Sequence, residues 1–172
     1  MKIEYDKDNS NKLFNWLIGV SLTWITFILL APMFKSSDNQ LLFKLSEYIY
    51  FMFEPVCHQI PERSILINSD PMAVCSRCFS IYSGGLILLI YSIWKKYRLN
   101  INIYTVVGFC LPAIIDFILG KIGLFRDTLF LRGLTGLLLG AGIMLLIIIS
   151  ISDNNNFNLT KWNINHGKSE IN

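Results

Sequence analysis

The sequence predicts an all-α, polytopic membrane helix bundle, with about four transmembrane helices and a short interfacial helix before a Cys/His loop. Three observations predict it. Of the 172 residues 53% are hydrophobic and only 16% charged, and the mean hydropathy is +0.48, more apolar than a soluble domain of this length. The apolar residues fall in long unbroken runs rather than in alternation, which points to spanning helices and away from a barrel. Polar stretches between the runs are short, leaving room for one bundle and no second domain.

The elements follow in order. Residues 1–12 form an N-terminal segment carrying Lys2, Lys7 and Lys12. The first span runs from about Leu13 to Phe34, enough for roughly 30 Å of hydrocarbon at ~1.5 Å per residue. It is long for a signal-peptide core, and Ala31-Pro32-Met33 is not a small-x-small cleavage site, so a retained anchor is expected. Leu41 to Phe53 is apolar but contains Lys44 and Glu47 and is too short to cross; it lies in the interface or re-enters partway. A Cys/His loop occupies 54–78. The second span extends from Phe79 to about Trp94 and stops at Lys95, Lys96, Tyr97 and Arg98. The third covers Ile101 to Leu119 and the fourth about Leu129 to Ile151, so the bundle domain is 13–151. An Asn-rich polar tail over 152–172 has no core-forming pattern and is expected to be flexible.

With four spans both termini share a face. Lysines and arginines cluster at helix ends on that face, which makes it cytoplasmic and the Cys/His loop extracytoplasmic. The formal charge of +3 comes from these clusters and indicates a lipid bilayer as partner and no nucleic acid. Gly84 and Gly85 in the second span, and Gly133, Gly136, Gly140 and Gly142 in the fourth, allow close backbone approach, within the bundle or in a homo-oligomer through the fourth span. Trp16, Trp94 and Tyr97 read as interface anchors.

This topology opens the loops after the first and third spans on one face, gathering six chemically capable side chains. Cys75-Ser76-Arg77-Cys78 places two thiols at a helix N-terminus, where the dipole and Arg77 favour the thiolate that binds metal or attacks a disulfide. Cys57 and His58 upstream complete a Cys/His set at a separation found in zinc sites. Adjacent residues as two ligands is an unusual geometry, and a three-cysteine site with water or a carboxylate as fourth ligand is equally allowed; a structural disulfide is the plainer alternative. Cys110, inside the third span, reads as packing. Asp116 is ionisable inside a span and needs a partner, for which Arg132 at the start of the fourth is the obvious candidate, whether as a structural pair or as part of a site. Glu62 and Arg63 read as solvated loop charges.

The string Cys57-His58-Gln59-Ile60-Pro61-Glu62-Arg63-Ser64, followed by Cys75-Ser76-Arg77-Cys78-Phe79-Ser80-Ile81-Tyr82-Ser83-Gly84, resembles the signature of the domain of unknown function 2085 family of prokaryotic membrane proteins. Asp116, Arg132, Thr135-Gly136 and Gly140 are similar to its second signature. Two departures stand out: Phe79-Ser80 replaces a small Thr-Gly pair, and Phe117 and Leu119-Gly120 replace the Gly and Gln after the Asp. The resemblance covers roughly residues 50 to 145. It implies a prokaryotic cytoplasmic-membrane location, a fold and a site, and brings no activity with it.

Two functions of different class fit these residues. In the first, Cys57, Cys75 and Cys78, with His58 as ligand or as support to one, hold zinc at the outer interface. The metal is then either a staple or a site that activates water against a lipid-borne or peptide substrate, with Asp116 as base and Arg132 gripping an anionic group. In the second, Cys75 and Cys78 are a redox pair that passes electrons to quinone, contacted by Arg77 or Arg132, and Cys57 relays to a partner. The second loop cysteine pair of the bacterial membrane oxidase that works this way has no counterpart here. A structural or assembly subunit is the plainest reading.

Overall fold

The computed structural model describes residues 7–94, 103–122 and 128–166, with side chains for 12–94, 104–120, 122 and 128–150. Five helices appear among them: α1 (Lys7–Lys35), α2 (Gln40–Phe53), α3 (Ser76–Trp94), α4 (Ile103–Ile122) and α5 (Leu129–His166). Each expected apolar run is a helix, in the expected order. Three helical stretches are long and apolar enough to cross a membrane: Lys12–Lys35, Ser76–Trp94 and Leu129–Ser150. The expected count of four is corrected to three by that measure. The apolar run of α4, Tyr104–Gly120, is shorter and ends before Lys121, at the lower limit of ~17 residues for a crossing. The backbone of α5 stays helical past the expected boundary at Ser152, to His166. The basic stop at Lys95, Lys96, Tyr97 and Arg98 lies outside the described residues.

Glycines set the central packing. Gly136 stands against the Arg77 carbonyl, Gly140 against that of Ile81, and Gly85 beside Met144, so α3 and α5 run parallel at very close range. α4 runs antiparallel between the same ends: Asp116 meets Thr135, and Cys110 meets Gly142 six residues earlier on α4 and seven later on α5. This is the small-residue contact expected where helices pack without a hydrophobic driving force. Gly136, Gly140 and Gly142 are buried within the chain.

A methyl group at Gly84 would overlap the Leu137 carbonyl oxygen, and one at Gly140 that of Ile81, and neither backbone can yield. Gly84→Ala and Gly140→Ala are therefore each expected to destabilise by at least ~1–3 kcal/mol, the cost of overpacking. Gly19→Ala and Gly108→Ala, where nothing lies within 4 Å, are expected to be neutral or to stabilise by ~0.5–1 kcal/mol. Thermal unfolding in detergent measures the difference, and equal behaviour of all four would mean that α3 and α5 do not cross at these glycines.

α2 is the element that shapes the site. Its side chains Ser46 and Phe53 meet Ala31 and Trp24 of α1, so it folds back antiparallel along α1, seven residues on one helix matching seven on the other. At 14 residues, ~21 Å, it reaches partway down α1 and no further. Leu41, Leu45, Tyr48 and Met52 form an exposed apolar stripe, with Gln40, Lys44 and Glu47 beside it. Such a division suits a helix half in lipid and half in water.

The chain then climbs back. A hairpin of β1 (Leu66–Ile67) and β2 (Asp70–Pro71) turns through Asn68 and Ser69, both at positive φ as a two-residue hairpin loop requires. Asp70 bridges Lys35 at 3.0 Å and Asn68 reaches Ser36, which ties the hairpin to the end of α1. From there Met72, Ala73 and Val74, at most 2% exposed, thread inward to Cys75.

Candidate metal centre

The three loop cysteines arrive by separate local routes. α2 ends at Phe53, and the N–H groups of Val56 and Cys57 both donate to its carbonyl, a tight turn over Pro55 that swings Cys57 inward to 6% exposure. Cys75 stands at the N-cap position of α3: its carbonyl accepts the first helical bond, from Phe79 N–H, and its own N–H donates to Cys57 Sγ at 3.2 Å. Cys78 follows in the first turn on the same face. The three Sγ atoms all lie within 4.8 Å of one another, and none is in a disulfide. The Cys75 thiol is lowered to about 5, first by a hydrogen bond from the Cys78 thiol, with the N–H groups of Cys78 and Arg77 and the Cys57 thiol adding to it against the opposing effect of burial. A helix N-terminus favours the thiolate form at this position.

Around the sulfurs the walls are apolar. Ile28 and Ala31 of α1, Ile49 and Phe53 of α2, and Met72 to Val74 pack as one core with Cys57, and Cys75, Cys78, Phe79 and Tyr82 pack against it. Trp24 is edge-on to Phe53 at 4.8 Å and to Tyr82 at 6.1 Å. These contacts put the cluster against the last turns of α1, one to two turns from its Lys35 end and under α2 and the hairpin. The sulfurs thus gather where α3 begins, at the end of its apolar stretch Ser76–Trp94. Ser76, between the sulfurs and Arg77, buries its hydroxyl with no hydrogen-bond partner among the described residues.

His58, expected as a ligand or as support to one, is exposed and lies outside the sulfur group, whereas its neighbour Cys57 is buried in it. Arg77 leaves α3 on the side away from the sulfurs and forms an ion pair with Asp116 of α4, which is 7% exposed. Thr135 of α5 donates to the same carboxylate oxygen at 3.2 Å, its single proton shared with the Leu131 carbonyl at 2.9 Å. A cation that meets Asp116 is thus Arg77, from α3, a partner that the sequence does not single out beside Arg132. Arg132 is buried one turn before Thr135, on the same face of α5. Asp116 is not among the donors that converge with the sulfurs. Trp24, Tyr82 and Thr135 were not picked out as site residues; Tyr82 could have been, since it follows Cys78 by four residues and shares its face.

The segment that builds this geometry is also the one that comparison recognises. The family described as "Predicted membrane protein (DUF2085)" matches residues 57–146, from Cys57 into α5 and more than half of the chain. The chain belongs to the DUF2085 family. An uncharacterised protein of the archaeon Methanocaldococcus jannaschii is 34% identical over 128 residues, covering 70% of this chain and 81% of the relative. No solved structure matches the chain. The DUF2085 match takes in all three sulfurs, Arg77, Asp116, Arg132 and Thr135, and starts after α1 and α2.

Proposed function

We propose that this membrane protein binds one zinc ion through Cys57, Cys75 and Cys78 and presents the remaining coordination position to a water or a substrate group inside the bundle. The observation that carries the reading is the convergence of three sulfurs from two separate segments within 4.8 Å. Three thiolates on a tetrahedral zinc with bonds of ~2.3 Å lie about 3.8 Å apart, so the group needs to close by less than about 1 Å. Soft sulfur donors select zinc over magnesium or calcium, and the unsatisfied Ser76 hydroxyl beside them is the kind of polar atom that a bound group or its water satisfies. A zinc with an open position acidifies bound water and polarises carbonyl or phosphoryl oxygens. Asp116 and Thr135 hold Arg77 from the far side of α3 and so fix the first turn that carries Cys75 and Cys78. Arg132 supplies positive charge at the same depth, suited to an anionic group on a lipid-borne substrate.

A thiol redox function is the second reading, favoured by one observation: Cys75 and Cys78 share a face at a helix N-terminus and are already in contact. There, two thiols would lose two electrons and two protons to a quinone, forming a disulfide and quinol. Metal analysis by plasma mass spectrometry, with free-thiol counting, separates the two on detergent-purified protein. About one zinc per chain is expected, as Cys-ligated sites retain their metal through purification. Metal-free protein with a Cys75–Cys78 disulfide that quinone re-forms after reduction would transfer the assignment to the redox reading.

A further inference from the structure

The face of α3 that carries the sulfurs continues below them. Cys75, Cys78, Tyr82 and Gly85 follow at steps of three, four and three residues and form one stripe, with Leu86 beside its lower end. Tyr82 packs against the sulfur cluster at the upper end of that stripe. Below, together with Trp24, it walls a half-open cavity of about 400 Å³ between α1, α3 and α5. Ser21 and Met144 complete the walls, which are almost wholly apolar, and Val20 and Ile143, both exposed, stand at its mouth. The volume falls in the ~300–1,000 Å³ range of small-molecule sites.

Depth identifies the occupant. In the apolar stretches Lys12–Lys35, Ser76–Trp94 and Leu129–Ser150, the cavity residues Trp24, Gly85 and Gly140 stand at or beside the midpoints. The cavity is therefore at the middle of all three helices and opens where the surrounding solvent is lipid hydrocarbon rather than water. We infer that this cavity holds the hydrocarbon chain of a membrane lipid whose polar head reaches past Tyr82 to the sulfur centre. The inference rests on the metal reading and gives it a substrate class: an amphiphile with an isoprenoid or acyl chain. The Tyr82 hydroxyl is the first polar group the head meets, and the stripe from Gly85 to Cys75 sets how far the head lies from the chain.

The test uses zinc-loaded protein in detergent and two photoreactive probes, a benzophenone-bearing polyprenyl phosphate and a benzophenone-bearing fatty acid, with crosslinks mapped by peptide mass spectrometry. Saturable labelling at Val20, Ser21, Ile143 or Met144 is expected from one of them, and the probe that labels identifies the chain. Ser21→Trp and Ile143→Trp fill the cavity from α1 and from α5. Each is expected to reduce labelling about tenfold, equivalent to ~1.4 kcal/mol of affinity, with zinc content unchanged. Labelling that fails to saturate, that spreads to lipid-facing Phe27 and Leu146, or that survives both substitutions would overturn the inference. Saturable cavity labelling of wild-type protein that proves to contain no zinc would overturn the metal reading and leave the lipid cavity standing.

Discussion

Cys57→Ser, Cys75→Ser and Cys78→Ser are each expected to lower bound zinc from about one per chain to near zero and to cost more stability than any other single change in the molecule. The reason is the separation of the donors. Cys57 follows α2, whereas Cys75 and Cys78 begin α3, and the 17 residues between Cys57 and Cys75 hold only a 3-10 turn and a two-stranded hairpin. A metal that ties these segments closes a loop whose own contacts are few. Structural zinc sites contribute ~10–16 kcal/mol of binding energy in small peptides, and a part of that is folding energy here, since Cys57 reaches the other sulfurs only when α2 lies on α1. A serine hydroxyl is a hard, poorly acidic donor and does not replace a thiolate. Thermal unfolding with and without added zinc measures the effect: wild-type protein should gain stability from the metal, and the three variants should not. Lys44→Ala, on the exposed face of α2, is the control and should match wild type. Equal tolerance of all four substitutions would remove the site.

Asp116→Leu is expected to destabilise by about 3–5 kcal/mol, because it leaves the Arg77 guanidinium among α4 and α5 without its carboxylate. The pair is enclosed: the Arg77 side chain is 23% and the Asp116 side chain 5% exposed. Breaking one partner of such a pair costs more than removing both, so Arg77→Leu combined with Asp116→Leu should recover much of the loss. If the pair acts on the sulfurs through the first turn of α3, Asp116→Leu also weakens zinc affinity, and the double variant restores folding without restoring that affinity. A purely structural pair would lose stability alone, with zinc affinity unchanged in the protein that remains folded.

Most of the architecture was legible because hydrocarbon is a severe solvent. A run such as Leu129 to Ser150 has no alternative to helix once it is in lipid, although α5 continues past its polar end to His166, where no such constraint operates. The sulfur group was legible as well, since Cys75 and Cys78 share a helical face whatever the rest of the chain does. What the sequence did not reveal depends on rotation and direction. That Arg77 meets Asp116 is decided by how α3 is turned about its axis, and that turn is fixed by Gly84 and Gly140 seating against backbone carbonyls, a contact with no spacing signature of its own. His58 lies outside the sulfur group although it adjoins Cys57, because adjacency in sequence carries no information about where its ring points. The hairpin was hidden by Asn68-Ser69, where the more usual second residue is Gly. The walls around the sulfurs were hidden because they follow from α2 folding back along α1, and a 14-residue amphipathic helix says nothing of which neighbour it lies on.

The placement of Arg77 between Cys75 and Cys78 has a consequence for how the chain is made. All three cysteines are in the chain once residue 78 is joined, with more than half of the sequence still to come. Because structure forms in order of synthesis, α1, α2 and the first turn of α3 precede α4 and α5. Arg77 has no such early partner: its carboxylate is 39 residues further on. The ion pair therefore joins the second half of the chain to a first turn of α3 made well before it, and it can form only when Asp116 has been added.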